Sequence, residues 1–403
     1  MTNHLANKYA REYKLKGNNM EVYLDNSATT KCSRAATEKM VQLLQEDYGN
    51  PSSLHNMGAK AEDYIKEAKK KIAKTLKAEE KEIIFTSGGT ESNNLAIFGS
   101  VSANKRRGNR IITTSIEHAS VYAPMNYLKE QGYDVVFLNV DREGVVSLEE
   151  LKEALNQETI LVSMMHVNNE IGTLEPVEEV SALIKARANG ALFHVDAIQS
   201  YGKVPIYPKK LGIDMLSVSG HKIHGPKGSG FLYVKDKTKI KPILLGGGQQ
   251  KGMRSGTENV PAIAGLGEAA QEIYENMASN TAHMRKLKEY FISRVTQIED
   301  VTVNGKTDES SAPHIVSVSV KDVKSEVLLH SLEEKGIYVS AGSACSSNKN
   351  AVSHTLQSIG LNPNLIDSTV RFSFCESNTM EEIDYTLGCM REIIPLRRRF
   401  TRK

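Results

Sequence analysis

The chain has 403 residues, of which 40% are hydrophobic and 25% charged, and 51 basic against 48 acidic residues leave a formal charge of +3. These proportions are ordinary for a soluble globular protein. The small positive excess gives no reason to expect nucleic-acid binding across the whole surface, and no apolar run is long enough to span a bilayer.

The first part of the chain alternates helical and strand patterns. Residues 59–78 repeat apolar positions every three or four residues, which predicts an amphipathic helix, and residues 147–156 and 176–189 are also helical in pattern. Between them lie short apolar runs that predict strands over 82–87, 110–115, 134–140, 160–167, 191–197, 214–219 and 230–234. This alternation predicts an α/β fold with a mainly parallel sheet covered by helices on both faces.

The pattern changes after about residue 265. A long helical segment over 262–298 leads into weaker strands at 314–320 and 337–342, and helices follow. Because the length exceeds what one core usually supports, we expect a large domain over 20–265, whose first residues pack with the second domain. The second, smaller α/β domain covers 266–403, and residues 1–19 form an N-terminal extension. The final segment 396–403 has five positive charges in eight residues, typical of a frayed, solvated tail.

The cysteine pattern bears on the compartment. Cys32, Cys345, Cys375 and Cys389 show no C-x-x-C spacing, so the sequence predicts neither a zinc site nor a disulfide framework. Residues 1–19 lack the apolar region of a secretory signal. Both observations predict a cytoplasmic protein.

Glycine and threonine follow the strand at 82–87, where a helix begins. The free backbone N–H groups of such a helix start, with Gly89 and the Thr90 hydroxyl, form an anion seat suited to one phosphate. The segment is neither G-x-G-x-x-G nor a Walker sequence, so it does not indicate a dinucleotide or a nucleoside triphosphate.

Two ionisable residues follow later strands. Asp196 ends an apolar strand, where burial of its carboxylate is costly without a cationic partner, and Lys222 follows the strand at 214–219. A phosphate seat, a buried acid and an amine are the groups that pyridoxal 5'-phosphate (PLP) requires. The acid keeps the pyridine nitrogen protonated and the lysine forms a Schiff base. Their combination predicts a PLP enzyme, although each residue alone is more often structural.

The chain resembles the PLP-dependent cysteine desulfurases of the NifS/IscS-like group, within the class V aminotransferases. The resemblance is carried, in the family's order between residues 23 and 374, by the motifs YLDNSATT, NPSSLHNMG, FTSGGTESNN, EHASV, MHVNNEIG, HVDAIQ, SGHKIHGPKG, GGGQQKGMRSGTENV, SAGSACSS and STVRFSF. It implies the PLP-dependent transferase fold, which is aspartate aminotransferase-like, and a homodimer that converts L-cysteine to L-alanine.

The resemblance also implies residue roles. Lys222 would bind the cofactor, Asp196 would pair with the ring nitrogen, and His118 would lie over the ring and manage the substrate's thiol proton. The groups implied to hold the ring oxygen or the phosphate are Asn169, Gln199, Gly89, Thr90, Ser219, His221 and, from the other subunit, Thr257. Arg371 would bind the substrate carboxylate together with Asn169.

Cys345 distinguishes the desulfurases from other class V members. It lies in a polar segment where nothing apolar surrounds it, so it fits the usual environment of a buried free cysteine poorly. The resemblance implies that its thiolate takes the substrate sulfur as a persulfide and passes it to an acceptor protein.

The sequence departs from the family pattern twice. Residues 350–353 are Asn-Ala-Val-Ser where a Leu-Glu-Pro-Ser-like segment is frequent, and Cys375 and Glu376 stand where a Gly-Arg pair is common. Both departures lie near the Cys345 segment and the smaller domain. They therefore bear on the turnover rate and on the choice of sulfur acceptor, and not on the cofactor chemistry.

Alternatives remain at this level. A selenocysteine lyase and an ordinary aminotransferase share the fold, although the aminotransferase would not need Cys345. A non-catalytic sulfur-relay subunit would be expected to lose Lys222, Asp196 or Cys345. The sulfur acceptor is an iron–sulfur scaffold or a tRNA thiolation enzyme, and neither a membrane nor a direct nucleic-acid contact is expected.

Overall fold

The computed structural model describes residues 20–341 and 352–401. The helices are α1 (Arg34–Gln45), α2 (Asn56–Leu76), α3 (Gly89–Asn104), α4 (Ala119–Glu130), α5 (Leu148–Ala154), α6 (Val177–Arg187), α7 (Pro208–Leu211), α8 (Val260–Glu275), α9 (Met277–Val295), α10 (Ser325–Glu333), α11 (His354–Ser358), α12 (Pro363–Ile366) and α13 (Met380–Thr401). Within these described ranges, no helix is both long and apolar enough to cross a membrane.

The strands fall into three sheets. Their bounds are β1 (Val22–Tyr23), β2 (Ile83–Thr86), β3 (Arg110–Thr114), β4 (Asp134–Leu138), β5 (Thr159–Met165), β6 (Leu192–Asp196), β7 (Met215–Ser219), β8 (Gly230–Val234), β9 (Val301–Asn304), β10 (Ile315–Val320), β11 (Ile337–Tyr338), β12 (Ser340–Ala341) and β13 (Thr369–Ser373). Each of the seven strands predicted between residues 82 and 234 is present.

The largest sheet has the strand order β2-β8-β7-β6-β5-β3-β4. Strand β8 runs antiparallel to both of its neighbours, and the other pairs are parallel. The predicted α/β class with a mainly parallel sheet is therefore confirmed. The parallel strands β3, β5, β6 and β7 end at one edge, which is where ligands bind in sheets of this kind.

Helices cover both faces of this sheet, which explains why its strands are apolar throughout. Ile83 and Phe85 of β2 pack in one cluster with residues of α2, α6 and α8, whereas Ile84 between them packs with α3 and α4. Successive side chains of a strand point to opposite faces, so both faces need apolar residues.

A second, smaller sheet has the order β12-β13-β10-β9 and is antiparallel. Its core includes Phe291, Phe372 and Phe374, and Val22 and Leu24 from the start of the described chain join the same cluster. Strand β1 pairs with β11 in a separate parallel pair. The first described residues thus pack in the core of the smaller sheet.

The predicted single helix over 262–298 is wrong, because the structure divides it at Asn276 into α8 and α9. Ile273 of α8 packs in the core of the large sheet, and Leu287 of α9 packs in the smaller core. The predicted boundary at residue 265 falls inside α8, so the chain passes from one core to the other across Asn276.

The C-terminal segment is helical through Thr401 and not frayed over these residues. The Arg397 Nε donates to the hydroxyl of Ser331 at 2.9 Å, and the Arg398 Nη2 donates to the carbonyl of Glu299 at 2.8 Å. These contacts hold Arg397 and Arg398 against neighbouring elements, so the expectation of a frayed, solvated tail was wrong for these two residues.

The smaller core gives a stability prediction. Phe291 is fully buried, and its ring centroid lies 4.8 Å from that of Phe372 and 5.8 Å from that of Phe374. The substitution Phe291→Ala should lower the free energy of unfolding by about 3–5 kcal/mol because it leaves a cavity. Urea unfolding followed by circular dichroism measures this. Lys286→Ala, exposed on the same helix, is the control, and equal midpoints for the two variants would contradict the prediction.

Candidate active site

A cavity of about 180 Å³ lies at the edge where the parallel strands end. Ten of the residues implied by the resemblance line it: Gly89, Thr90, His118, Asn169, Asp196, Gln199, Ser219, His221, Lys222 and Arg371. They come from positions scattered over most of the chain. The sheet brings them together because parallel strands place their carboxyl ends along one edge.

Two implied residues remain, Thr257 and Cys345. Thr257 is exposed on the loop before α8 and does not line the cavity. Cys345 lies outside the described residues.

Asp196 ends β6 with its carboxylate almost fully buried. Its Oδ1 accepts a hydrogen bond from the Ile198 backbone N–H at 3.0 Å, and its Oδ2 accepts from the Asn93 Nδ2 at 2.8 Å. Burial raises the pKa of Asp196, and the hydrogen bonds and the positive charge of Lys222 only partly oppose that rise. The carboxylate therefore favours a further cation in the cavity.

His118 is connected to Asp196 through side chains. The Asn93 Nδ2 also donates to the Ser120 hydroxyl at 2.9 Å, and that hydroxyl lies 2.8 Å from the His118 Nδ1. The Ser120 backbone N–H also donates to the same Nδ1 at 3.2 Å, which caps helix α4. Because Nδ1 accepts, Nε2 carries the proton in the neutral ring. Burial lowers the pKa of His118, which favours this neutral form.

Lys222 lies in a short 3₁₀ turn directly after β7. Its Nζ donates to the carbonyls of Ser27 at 2.6 Å and Ala28 at 2.7 Å. The Ser27 carbonyl also accepts from the Gln199 Nε2 at 3.0 Å. The buried Lys203 donates its Nζ to the Lys222 carbonyl at 2.8 Å, so both ends of the Lys222 residue are held.

The helix start that the sequence predicts as an anion seat is the start of α3. Gly88 has a φ of 150°, and the helix begins at Gly89, so the N–H groups of the first turn have no partners within the helix. A Cβ on Gly230 would lie 2.7 Å from the Gly88 Cα, so glycine is required where β8 passes this turn. Burial and the neighbouring Lys222 lower the pKa of His221 to about 4, so the ring is a neutral hydrogen-bonding group.

Arg371 reaches the cavity from β13 of the smaller sheet and is only 3% exposed. Its Nη1 donates to the Asn169 carbonyl at 2.8 Å, and its Nη2 pairs with the Asp25 Oδ1 at 2.9 Å. Its Nε is buried and has no hydrogen-bond partner among the described residues. The guanidinium is therefore held in place, and its Nε–H is left for a ligand.

Sequence reasoning did not assign three residues that hold the site. Asn93 stands one helical turn after Thr90, a spacing that places both on one side of α3. Ser120 follows His118 by two residues, within reach of a helix cap. Asp25 gave no comparable signal, because its partner Arg371 is distant in sequence.

The chain matches a known family over most of its length. The model of the family described as "Aminotransferase class-V" matches residues 22–386. The chain belongs to this family. A cysteine desulfurase IscS of Dictyoglomus turgidum is 43% identical over 375 residues, covering 93% of this chain and 94% of that protein. A cysteine desulfurase IscS of Methanosarcina thermophila is 43% identical over 376 residues, covering 93% and 92%. The resemblance inferred from the motifs is confirmed.

Solved structures agree with the fold. A NifS-like protein superposes with a TM-score of 0.89 at 39% identity, covering 94% of this chain and all of that one. A NifS-like protein from Rickettsia africae superposes with a TM-score of 0.84 at 32% identity, covering 93% of this chain and 100% of that one. The structure of SspA in complex with cysteine superposes with a TM-score of 0.78 at 33% identity, covering 89% of this chain and 100% of that one. The predicted PLP-dependent transferase fold is confirmed, and the class V family as a whole implies PLP dependence.

The residues of the cavity fit this cofactor. The Asp196 carboxylate calls for a cationic partner, the α3 start presents unpaired N–H groups, and Lys222 supplies an amine. The Ser27 Oγ and the Arg371 Nε, both from residues that line the cavity, are buried polar atoms without a partner in the described part of the chain. A polar, anionic ligand satisfies such groups.

Glu170 gives a prediction on pH. Burial raises its pKa to about 7, although the Ser353 hydroxyl donates to its Oε2 at 2.5 Å. Because the pKa is raised on folding, the stability it contributes is full below about pH 4.5 and is lost as the pH rises through 7. The substitution Glu170→Gln, which stays neutral, should therefore gain roughly 2 kcal/mol over the wild type between pH 5 and 8.

Urea unfolding at several pH values measures this difference. Glu178→Gln, exposed on α6, should follow the wild-type curve. If the free energies of unfolding of the wild type and Glu170→Gln differ by the same amount at every pH, Glu170 does not titrate in this range.

Proposed function

We propose that this chain is a PLP-dependent cysteine desulfurase that converts L-cysteine to L-alanine and carries the sulfur on Cys345 as a persulfide. The observation that carries the proposal is the single cavity lined by Lys222, the buried Asp196 and Arg371. The curated relatives named as cysteine desulfurases support it, as does the neighbouring structure of SspA in complex with cysteine.

When bound, the cofactor supplies an electron sink that acidifies the Cα–H of an amino acid. In this proposal Lys222 holds it covalently and Asp196 pairs with its ring nitrogen. The α3 start with Thr90, together with Ser219 and His221, binds its phosphate, and Asn169 and Gln199 face its ring oxygen. In this proposal the Lys222 amine is also the base that takes the Cα proton.

The remaining groups act on the substrate. Arg371, fixed by Asp25 and the Asn169 carbonyl, offers its Nε to the substrate carboxylate. The His118 Nε2 exchanges the proton of the substrate thiol. The Cys345 thiolate then attacks the substrate sulfur, so an S–S bond forms, the C–S bond breaks, and the carbon that loses sulfur gains a proton to give alanine.

We propose a homodimer in which Thr257 of each subunit reaches the phosphate site of the other. A second cavity of about 420 Å³, lined by Gly88, Thr90 and Glu91 among others, adjoins the phosphate seat. The segment preceding Thr257 carries the exposed apolar side chain of Leu245, 83% accessible, beside exposed Leu244. Exposed apolar groups of this kind support an interface between subunits.

We further propose that the persulfide sulfur passes to an acceptor protein, either an iron–sulfur scaffold or a tRNA thiolation enzyme. The relatives named IscS support the first of these.

The test of the activity uses the purified, PLP-loaded protein with L-cysteine and a thiol reductant, and measures alanine and sulfide together. The wild type should release both in equal amounts. Cys345→Ala should bind PLP and lose more than about 100-fold of the rate, because the sulfur acceptor is removed. Cys389→Ala, on α13 in the smaller core, is the matched control and should keep the activity.

Each contrary result has a meaning. If Cys345→Ala matches the wild type, Cys345 is not the sulfur carrier. A selenocysteine lyase, tested with L-selenocysteine, or an aminotransferase, tested with an oxo-acid acceptor, then becomes the better account.

Asn93 gives a prediction on cofactor binding. Asn93→Ala removes a hydrogen bond to the Asp196 carboxylate, and bonds to charged groups are worth about 1.5–3 kcal/mol. PLP should therefore bind about 10- to 100-fold more weakly, as measured by absorbance titration of the apoprotein. Asn104→Ala, at the far end of the same helix, is the control. Equal PLP affinities of Asn93→Ala and Asn104→Ala would show that Asn93 does not contribute to cofactor binding.

A further inference from the structure

A second large cavity lies beside the Lys222 site and shares none of its lining residues. It has a volume of about 970 Å³ and is bordered by the N-terminal stretch, by α8 and by the segment after β13. Three metal-ligating side chains, His224, Cys375 and Glu376, stand together on its wall. The proposed desulfurase mechanism uses none of them.

We propose that His224, Cys375 and Glu376 form a binding site for a divalent transition-metal ion of the Zn²⁺ type. The three ligand atoms lie within 4.8 Å of one another. Thiolate, imidazole and carboxylate are the ligands that zinc prefers, and three protein ligands leave a fourth position open. A tetrahedral site has roughly 3.5 Å between ligand atoms. The cluster must therefore contract, and Glu376, whose side chain is 34% exposed, is able to move.

The hydrogen bonds of His224 orient it as a ligand. Its Nδ1 lies 2.9 Å from the Lys31 carbonyl, which only accepts, so Nδ1 carries a proton. Metal-bound histidines commonly donate the N–H of the nitrogen that does not bind the metal to a backbone carbonyl. The other nitrogen, Nε2, lies 3.1 Å from the Glu376 Oε1. Two acceptors at that distance repel each other unless a proton or a metal ion lies between them.

Cys375 is held in a fixed turn. Its backbone N–H donates to the Asn378 Oδ1 at 2.9 Å, and the Asn378 N–H donates back to the Cys375 carbonyl at 3.2 Å. The Asn378 side chain in turn accepts from Asn26 and donates to Glu382. A thiol on such a turn, next to an open cavity, combines a fixed position with an entry path for the ion.

The charges of the cluster suit a divalent cation. With the Cys375 proton released to solvent, the thiolate and the Glu376 carboxylate carry two negative charges, which the ion neutralises. The positive charge of the buried Lys203 helps to lower the pKa of Glu376, which favours its carboxylate form. His224 belongs to the segment after Lys222, and the other two ligands follow β13, so a bound ion would join the two domains.

The experiment uses PLP-loaded protein without a histidine tag, in a Cys345→Ala background that removes the other proposed reactive thiol. Zinc retained after dialysis is measured by elemental analysis, and affinity by competition with a chromogenic chelator. Co²⁺ is the second probe, because its d–d bands report tetrahedral coordination at longer wavelengths than the cofactor absorbs. The background protein should bind one equivalent of zinc and show these bands.

Cys375→Ser and Glu376→Gln should weaken zinc binding by more than about 100-fold. Even changes to residues that only hydrogen-bond a metal ligand weaken metal binding about 10- to 100-fold. Cys32→Ser, which changes another thiol on the wall of the same cavity, should bind normally. An unchanged cofactor spectrum shows that each variant is folded. The proposal is wrong if the Cys345→Ala background protein retains no zinc. It is also wrong if Cys375→Ser binds zinc as tightly as that background protein. In either case His224 and Glu376 form only an ion pair.

Discussion

The buried carboxylate of Asp196 is the charge on which the arrangement of the candidate site depends. A carboxylate at the end of an apolar strand is costly unless donors and cations surround it. The chain provides Asn93 and the Ile198 N–H as donors, yet burial still raises the pKa of the group. The Asp196 side of the cavity therefore suits a cationic group of a ligand. Through Asn93 and Ser120, the same carboxylate is linked to the position of His118.

The strands and the residues that end them could be read from the sequence, because both depend on local pattern. Ile83, Ile84 and Phe85 are consecutive and apolar because each face of the sheet is covered by helices. Asp196 and Lys222 stand out as ionisable groups directly after such runs. Once the sheet is parallel, its geometry brings these residues to one edge without any long-range information.

Other features depend on contacts between distant parts of the chain. The division of the predicted long helix at Asn276 was not evident, because the apolar spacing continues on both sides while the core that it faces changes. The basic C-terminal residues looked solvated, but Arg397 and Arg398 donate to groups of neighbouring elements. The pair of Asp25 with Arg371 joins opposite ends of the chain, and no local pattern encodes it.

Strand β13 of the smaller sheet links both cavities. Arg371 lies in this strand and enters the Lys222 cavity, and Cys375 and Glu376 follow its end on the wall of the larger one. Two residues of another segment do the same. Lys222 lines the smaller cavity, and His224, two residues later, lines the larger one. A small rotation of the smaller sheet would therefore change the distance from Arg371 to the Lys222 cavity and the distance from Cys375 to His224 together. Because close-packed interiors transmit strain, an ion held between His224 and Cys375 would restrict the position of the Arg371 guanidinium.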